Sequence, residues 1–455
     1  MGTKWASSSS SGQSLGAPDG MHGDLQQALV AIRRRLLPFL FVLYVVAYLD
    51  RVNVSFVEPV VSRDLGMTTA AYGFAAGIFF LGYVIFEIPS NLMLERVGAR
   101  AWISRILFTW GVIAALMACM VSPTQFNGLR LLLGVAEAGF YPGIIFYLSR
   151  WVPEDQRART LSGFLLALPV AGLLGGPISA AILSLPSWHG IASWRWLFLL
   201  EALPALLLSV AVFVWLPNRP HQASWLMPAQ AEAIELALQR DQQRRRDGGR
   251  PIQALSALWG DRRLWLLSLL YLGIATSFYG FSFWIPKFVA AAVPQAQASP
   301  VLVNLLSAIP YAFAVLGMLL VGRSADRHRD QRWHVVIPLM VAALALVVSV
   351  LAPGGWRLVL ITLATAAVFS SLGPTWAIPL QFLEGRAAAA GIAAINSFGN
   401  IGGFLAPFVI GRLISQSGGS DSSSLLMLAA LMVISAGLTL VATQPPPSLS
   451  VAATR

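Results

Sequence analysis

The chemistry of this sequence is concentrated in charges set inside apolar runs. The stretch from Tyr48 to Ser55 reads Y-L-D-R-V-N-V-S, and the stretch from Arg130 to Gly143 reads R-L-L-L-G-V-A-E-A-G-F-Y-P-G. A charge in the middle of a membrane-spanning helix costs roughly 2.5 to 3.5 kcal/mol on insertion scales, so it needs a partner or a water-filled path. On a helix Tyr44, Tyr48, Arg51 and Ser55 share one face, with Asp50 about 100° away. Arg130, Gly134, Glu137 and Tyr141 make a second stripe of the same kind. Arginine offers a planar fork that can hold a carboxylate through two parallel hydrogen bonds, and the acids can take up and release protons. Each group also has a plainer reading. Asp50 and Arg51 fit a structural pair at the membrane boundary, and Arg130 with Glu137 fits a packing stripe neutralised by another span.

Other polar residues repeat the question. Tyr83 and Glu87 lie one turn apart in G-Y-V-I-F-E-I-P-S-N; Tyr83 suits a pocket, and Glu87 a structural partner near the end of its span. Glu201 suits a gate or packing role. Tyr279, Trp284 and Lys287 fall near the outer end of a later span, where Lys287 can snorkel. Thr375 and Trp376 follow Pro374, whose missing N–H frees backbone groups beside a cavity. Asn396 and Asn400 lie one turn apart, as pocket groups or as interhelical hydrogen-bonding groups.

These residues belong to a chain that is 56% hydrophobic and 11% charged, against roughly 25% charged in soluble domains. About twelve apolar runs are long enough to cross a bilayer core, at 36–57, 70–94, 101–121, 125–151, 159–184 and 194–216, then 264–292, 300–322, 333–352, 356–380, 387–413 and 423–443. Lipid leaves no partner for an unpaired backbone, so all should be helices. The fold class is therefore an all-α membrane protein with twelve transmembrane helices in two six-helix halves. The expected organisation is a disordered N-terminal tail over 1–32, a first bundle over 33–216, a cytoplasmic linker over 217–263, a second bundle over 264–445 and a tail over 446–455. The linker contains A-Q-A-E-A-I-E-L-A-L-Q-R and the cluster Arg244, Arg245, Arg246 and Arg250, which reads as an amphipathic helix on the membrane surface.

The net charge of +11 follows the loops. Arg33, Arg34 and Arg35 precede the first span, and the even-numbered connections carry Arg96, Arg100 and Arg105, Arg150, Arg157 and Arg159, Arg323, Arg327, Arg329 and Arg332, and Arg386. The other connections carry little beyond Arg63, Arg195, Arg357 and Arg412. This bias places both termini in the cytoplasm and accounts for the basic charge without nucleic acid. The preponderance of Arg over Lys is a compositional mark of GC-rich bacterial genomes, so the inner (cytoplasmic) membrane is the expected location. One cysteine excludes an intrachain disulfide, and five scattered histidines show no metal spacing. Membrane-embedded enzymes and ATP-driven pumps are disfavoured, because no H-E-x-x-H, G-x-S-x-G or phosphate-binding loop appears.

The halves also echo each other. N-L-M-L-E-R-V-G-A-R, from Asn91 to Arg100, lies between spans 2 and 3, and G-R-S-A-D-R-H-R, from Gly322 to Arg329, lies between spans 8 and 9. Equivalent motifs are what a parallel six-span repeat predicts. The pattern resembles G-x-x-x-D-R-x-G-R-[RK] of the major facilitator superfamily. The second copy keeps Gly322, Asp326 and Arg327; the first has Asn91 for Gly but keeps Glu95, Arg96, Gly98 and Arg100. The motif reads either as a gate or as a topogenic basic loop. Further, Y-L-D-R-V-N-V-S-F, F-F-L-G-Y-V-I-F-E-I-P-S-N, G-V-A-E-A-G-F-Y-P-G and L-L-G-G-P resemble the anion:cation symporter branch, in particular its tartrate, phthalate and sugar-acid transporters.

That resemblance implies residue roles. The acids of spans 1 and 4 are proton sites there, which fall on Asp50 and Glu137. The span 1 arginine, here Arg51, contacts the substrate carboxylate, and Arg130 links the proton sites to substrate. Tyr48, Tyr83, Thr375, Trp376 and Asn396 map onto pocket positions. The expected function is proton-coupled uptake of a small organic carboxylate by alternating access, with anion exchange or carriage of aromatic acids as the alternatives. The expected partners are the anion, the proton and membrane lipid, with no cofactor and no metal, and the expected state is a monomer.

Overall fold

A computed structural model describes residues 19–153, 156, 160, 163–186, 190–247, 260–297, 299–379 and 385–444. Every regular element among them is a helix. The first half contains α1 (Asp19–Asp64), α2 (Thr69–Val97), α3 (Ala99–Leu116), α4 (Pro123–Glu137), α5 (Phe140–Leu148), α6 (Ala167–Leu183) and α7 (Ser193–Trp215). The connecting helix α8 (Pro228–Asp247) follows. The second half contains α9 (Arg262–Ala292), α10 (Pro300–His328), α11 (Arg332–Leu351), α12 (Gly354–Ala377), α13 (Gly385–Gln416) and α14 (Ser422–Ala442). Eleven helical stretches among the described residues are long and apolar enough to cross a membrane, α4 and α5 forming one of them. Helix α1, which continues unbroken through the 36–57 stretch, supplies the twelfth, its buried Asp50 and Arg51 lowering its apolar character.

Local sequence sets the helix starts. Thr68, Ser122, Asp261 and Ser299 each accept a backbone N–H in the first turn of α2, α4, α9 and α10, and Pro123 and Pro300 begin two of them. A side-chain oxygen there satisfies an orphan donor, and proline loses nothing where no N–H is needed. Exposed Leu207, Val210, Leu320, Leu344 and Leu351 face outward, whereas Trp110, Trp151, Trp194 and Trp284 are buried. In a bilayer that outer surface costs nothing, because lipid is as apolar as the side chains.

Four expectations need correction. The tail expected over 1–32 does not extend that far, because α1 is already helical from Asp19. Ala28, Leu29, Ile32 and Leu36 are buried on one face of this extension, which packs against α8. Burial of that stripe holds the extra turns in place. The same contact corrects the linker: Ile234 is buried and Gln230 donates to Gln27 Oε1 at 3.2 Å, so the apolar side of α8 meets protein rather than the membrane surface. Third, the two motif segments are not loops. Asn91 to Val97 completes α2, which ends at Gly98 (φ 96°), and Gly322 to His328 completes α10. Fourth, the fourth span is two helices broken at Ala138 and Gly139, where Gly139 adopts φ 82°; Pro142, which has no N–H to donate, lies three residues beyond. Residues 1–18 and 445–455, together with Arg157, Arg159 and Arg250, lie outside the described residues, as do the side chains of Arg244, Arg245, Arg246 and Arg386.

The halves meet tightly at one end. Helix α2 crosses α13 so closely that a Cβ on Gly73 would lie 3.2 Å from Gly411 Cα and would overlap Pro407 O. Asn304 of α10 donates to Phe56 O of α1 at 3.1 Å. At the opposite end Glu95, Arg96, Asp326 and Arg327 are exposed, and among the described residues none of them forms an ion pair.

Candidate functional site

Between the halves lies a narrow cavity of about 50 Å³. Tyr44, Tyr48 and Arg51 of α1, Tyr83 of α2 and Tyr141 of α5 line one side. Tyr271, Phe278 and Tyr279 of α9, Trp376 of α12, and Asn396 and Asn400 of α13 line the other. The face predicted for Tyr44, Tyr48 and Arg51 is therefore the face presented to the cavity. Tyr48 Oη lies 2.7 Å from Ser282 Oγ across the two halves. Tyr44 stacks on Tyr141 at 5.1 Å and on Phe164 at 4.5 Å between ring centroids.

Arg51 dominates the polar side. Its Nη2 donates to Glu137 Oε1 at 2.5 Å, and both side chains are buried. Its Cζ lies 5.1 Å from the Phe79 ring centroid and 5.3 Å from that of Tyr83. Aromatic faces attract a cation and help keep a desolvated guanidinium in place. Arg51 Nε has no hydrogen-bond partner among the described residues. The fork is thus half-committed: one arm holds an internal carboxylate, and a second donor is unused.

Asp50 points the other way. Its Oδ2 accepts from Trp110 Nε1 at 2.8 Å and its Oδ1 from Asn53 Nδ2 at 3.3 Å. Trp110 comes from α3 and is fully buried, so Asp50 sits inside the first half rather than on the cavity wall. Glu201 of α7 is buried nearby, close enough to interact with Asp50. Arg130 is also behind the wall, with no exposed surface. Its Nη2 donates to Ala76 O at 3.3 Å, while Nε and Nη1 have no hydrogen-bond partner among the described residues. Asp50 and Glu137 both lie within electrostatic reach of it. The predicted cluster therefore divides into Arg51, which lines the cavity with Glu137 as its buried partner, and Asp50 and Arg130, which make no hydrogen bond to that pair among the described residues.

On the far side Trp376 packs against Tyr271 at 4.7 Å between ring centroids. Thr375 does not reach the cavity, because its hydroxyl donates to Ser371 O at 2.7 Å within its own helix. Asn396 Nδ2 and Asn400 Nδ2 donate to the two oxygens of Glu87 at 3.1 and 3.0 Å. Glu87 thus bridges the halves, because its two partners belong to the opposite one.

The motif residues lie away from the cavity. Asn91 donates to Glu87 O at 2.9 Å within α2. Arg100 binds the C-terminal carbonyls of α7 through Phe213 O and Val214 O, and its backbone N–H donates to Asn218 Oδ1 at 2.9 Å. A cation is favoured there by the unpaired carbonyls of the helix end. The sparse arginines of the other end also have local work: Arg195 donates to Ala118 O at 2.5 Å and Arg357 pairs with Asp421.

Tyr271 and Phe278 were absent from the sequence reading, and Tyr279 was placed too far out. The i, i+7 and i+8 spacing of these three aromatics on α9 was the available signal, but it is equally the signature of a buried helix face.

Comparison with known proteins agrees with this architecture. The Major Facilitator Superfamily sequence model matches residues 40–407. A protein of Agrobacterium vitis named "Putative tartrate transporter" is 40% identical over 429 residues, covering 94% of this chain and 97% of its own. The "Quinolone resistance transporter" of Acinetobacter baumannii is 39% identical over 390 residues, covering 84% of this chain and 88% of its own. The structure of the proton:xylose symporter XylE bound to 6-bromo-6-deoxy-D-glucose superposes with a TM-score of 0.71 at 16% identity, covering 92% of this chain and 96% of that one; at that identity the likeness concerns the fold. Twelve helices in two halves around a central cavity, the family match and the near full-length relatives all lead to one conclusion: the chain belongs to the major facilitator superfamily.

Proposed function

We propose that this multi-pass membrane transporter couples protons to the uptake of a small organic carboxylate, such as tartrate or a related hydroxy or sugar acid, across a bacterial inner membrane. The observation that carries the proposal is the buried Arg51–Glu137 pair, 2.5 Å long, in which Arg51 lines the cavity and Glu137 holds it from behind. A substrate carboxylate needs the same guanidinium that Glu137 holds. Protonation of Glu137 weakens its claim on Arg51, so proton and anion favour each other's binding, a reciprocal coupling between two ligands. Tyr48, Tyr83, Trp376 and Asn396 would surround the bound anion. Asp50, held by Trp110 and Asn53, is the second proton site, with Arg130 between it and the cavity charges. With the Arg-rich helix ends in the cytoplasm, the end closed at Gly73 and Gly411 would face outward. The halves would then rock about the cavity in turn, with one chain sufficient as a monomer.

A second reading has its own support. The ring of Tyr44, Tyr141, Tyr271, Phe278 and Trp376 suits aromatic acids, and quinolones, which one relative's name mentions, are themselves aromatic carboxylic acids. The test is purified protein in liposomes that enclose a pH-sensitive dye, challenged with a panel of external carboxylates. Internal acidification by one acid, absent from protein-free liposomes, is the expected result. Exchange of labelled substrate without any proton movement would turn the reading to an antiporter.

A further inference from the structure

Glu87 makes no hydrogen bond to Arg51, although it lies within electrostatic reach of it, and it occupies both amides of the opposite wall. Its Oε1 accepts from Asn396 at 3.1 Å and its Oε2 from Asn400 at 3.0 Å. Glu87 belongs to α2 and the asparagines to α13, so this bridge joins the halves beside the space a ligand must fill. Both asparagines line the cavity, as does Tyr83 one turn before Glu87. Among the described residues that line the cavity Arg51 is the one cation, and it is shared with Glu137.

The charges decide what fits. A ligand with one carboxylate can exchange with Glu137 on Arg51 and turn hydroxyl groups toward α13. There each asparagine still has a second N–H and a carbonyl oxygen to offer. A second carboxylate at that wall meets no cation. It must approach amide donors already serving Glu87, so it faces a like charge in a partly desolvated space, where repulsion over a few ångströms is large. We infer that Glu87 is a charge filter that makes the site favour ligands with a single carboxylate, hydroxylated at the end that reaches α13, over those with two. The inference rests on the carboxylate reading above. Tartrate, with two carboxylates, is then a poorer ligand than threonate, in which one carboxylate is replaced by a hydroxymethyl group.

The test uses matched pairs that differ by one carboxylate: threonate and tartrate, gluconate and glucarate, benzoate and phthalate. Binding to the purified full-length protein is read by thermal stabilisation, and transport by counterflow, both at mildly alkaline pH with no proton gradient. The wild type should prefer the monocarboxylate of each accepted pair by about tenfold or more, the scale of a modest like-charge penalty. Glu87→Gln keeps the side chain's shape and an acceptor for the asparagines, and should bring the ratio of each pair close to one, mainly by improving the dicarboxylate. A wild type that prefers the dicarboxylate, or a Glu87→Gln ratio unchanged from wild type, overturns the filter while leaving carboxylate transport standing. If no member of any pair binds or exchanges, the carboxylate reading fails and the filter with it. The wild-type preference is measured independently of the variant, so poor folding of Glu87→Gln does not shield the inference.

Discussion

Replacing Glu137 by glutamine isolates the competition for Arg51. In the wild type an incoming carboxylate must take over the donor that reaches Glu137 Oε1 at 2.5 Å. Hydrogen bonds to charged groups contribute about 1.5–3 kcal/mol and neutral ones about 0.5–1.5 kcal/mol. Glutamine keeps an acceptor oxygen of similar reach but removes the charge, so freeing Arg51 becomes easier by about 1.4 kcal/mol. That corresponds to roughly tenfold tighter anion binding. The same change removes a proton acceptor, so accumulation driven by a pH gradient should vanish while counterflow persists. Calorimetry on purified protein reads the first effect and proteoliposome uptake the second. Glu137→Ala serves as a contrast: it leaves the buried guanidinium without this acceptor, and stripping one partner from a buried pair costs about 3–5 kcal/mol of stability, visible as a lower unfolding temperature. If Glu137→Gln bound the anion no more tightly, or accumulated it as the wild type does, the competition would be refuted.

Two further substitutions test the parts behind and above the cavity. Trp110→Phe removes the indole donor 2.8 Å from Asp50 Oδ2, a charged-group hydrogen bond of about 1.5–3 kcal/mol; gradient-driven uptake should fall roughly tenfold or more with counterflow retained, and equal loss of both would reduce Trp110 to packing. Gly73→Val inserts a side chain where even a Cβ would lie 3.2 Å from Gly411 Cα; the protein should still reach the membrane but lose both uptake and counterflow, and normal transport would mean that this crossing does not seal the pathway.

Much of this was legible in the sequence. Alternation of long apolar runs with arginine-rich connections revealed the span count because lipid and charge impose simple rules. The one-face spacing of Tyr44, Tyr48 and Arg51 placed all three on the cavity wall, and the offset of Asp50 anticipated that it would turn elsewhere. Periodicity could not say toward what. The partners of Asp50 are Trp110, 60 positions away, and Asn53, one helical turn along, and those of Glu87 are more than 300 positions away. Thr375 shows the converse limit: a polar residue beside a helix proline can spend its hydroxyl on its own backbone. Helix ends were misplaced where tertiary contact overrode composition. The α1 extension looks polar and disordered in one dimension because its apolar stripe of Ala28, Leu29, Ile32 and Leu36 matters only when α8 is laid against it. The break at Gly139 is a single backbone angle inside an otherwise continuous apolar run.

The division of the charges into two compartments sets a requirement on coupling. Arg51 faces the cavity with Glu137 as its buried partner, Asp50 and Arg130 lie behind, and the hydrogen bonds between described residues do not join one pair to the other. Phe79 is close to both arginines. Its ring centroid is 5.1 Å from Arg51 Cζ and 5.0 Å from Arg130 Cζ, so one aromatic ring attracts both guanidiniums at about 0.5–2 kcal/mol each. When a substrate carboxylate draws Arg51 toward the cavity, that balance changes at Arg130, which interacts with Asp50 and Glu137 alike. Phe79→Leu retains most of the apolar volume but loses the ring. It should bind the anion within a fewfold of wild type while accumulating it less steeply with the proton gradient. Paired measurement of counterflow and gradient-driven uptake checks this, and an unchanged ratio of the two would mean that coupling between the compartments does not pass through Phe79.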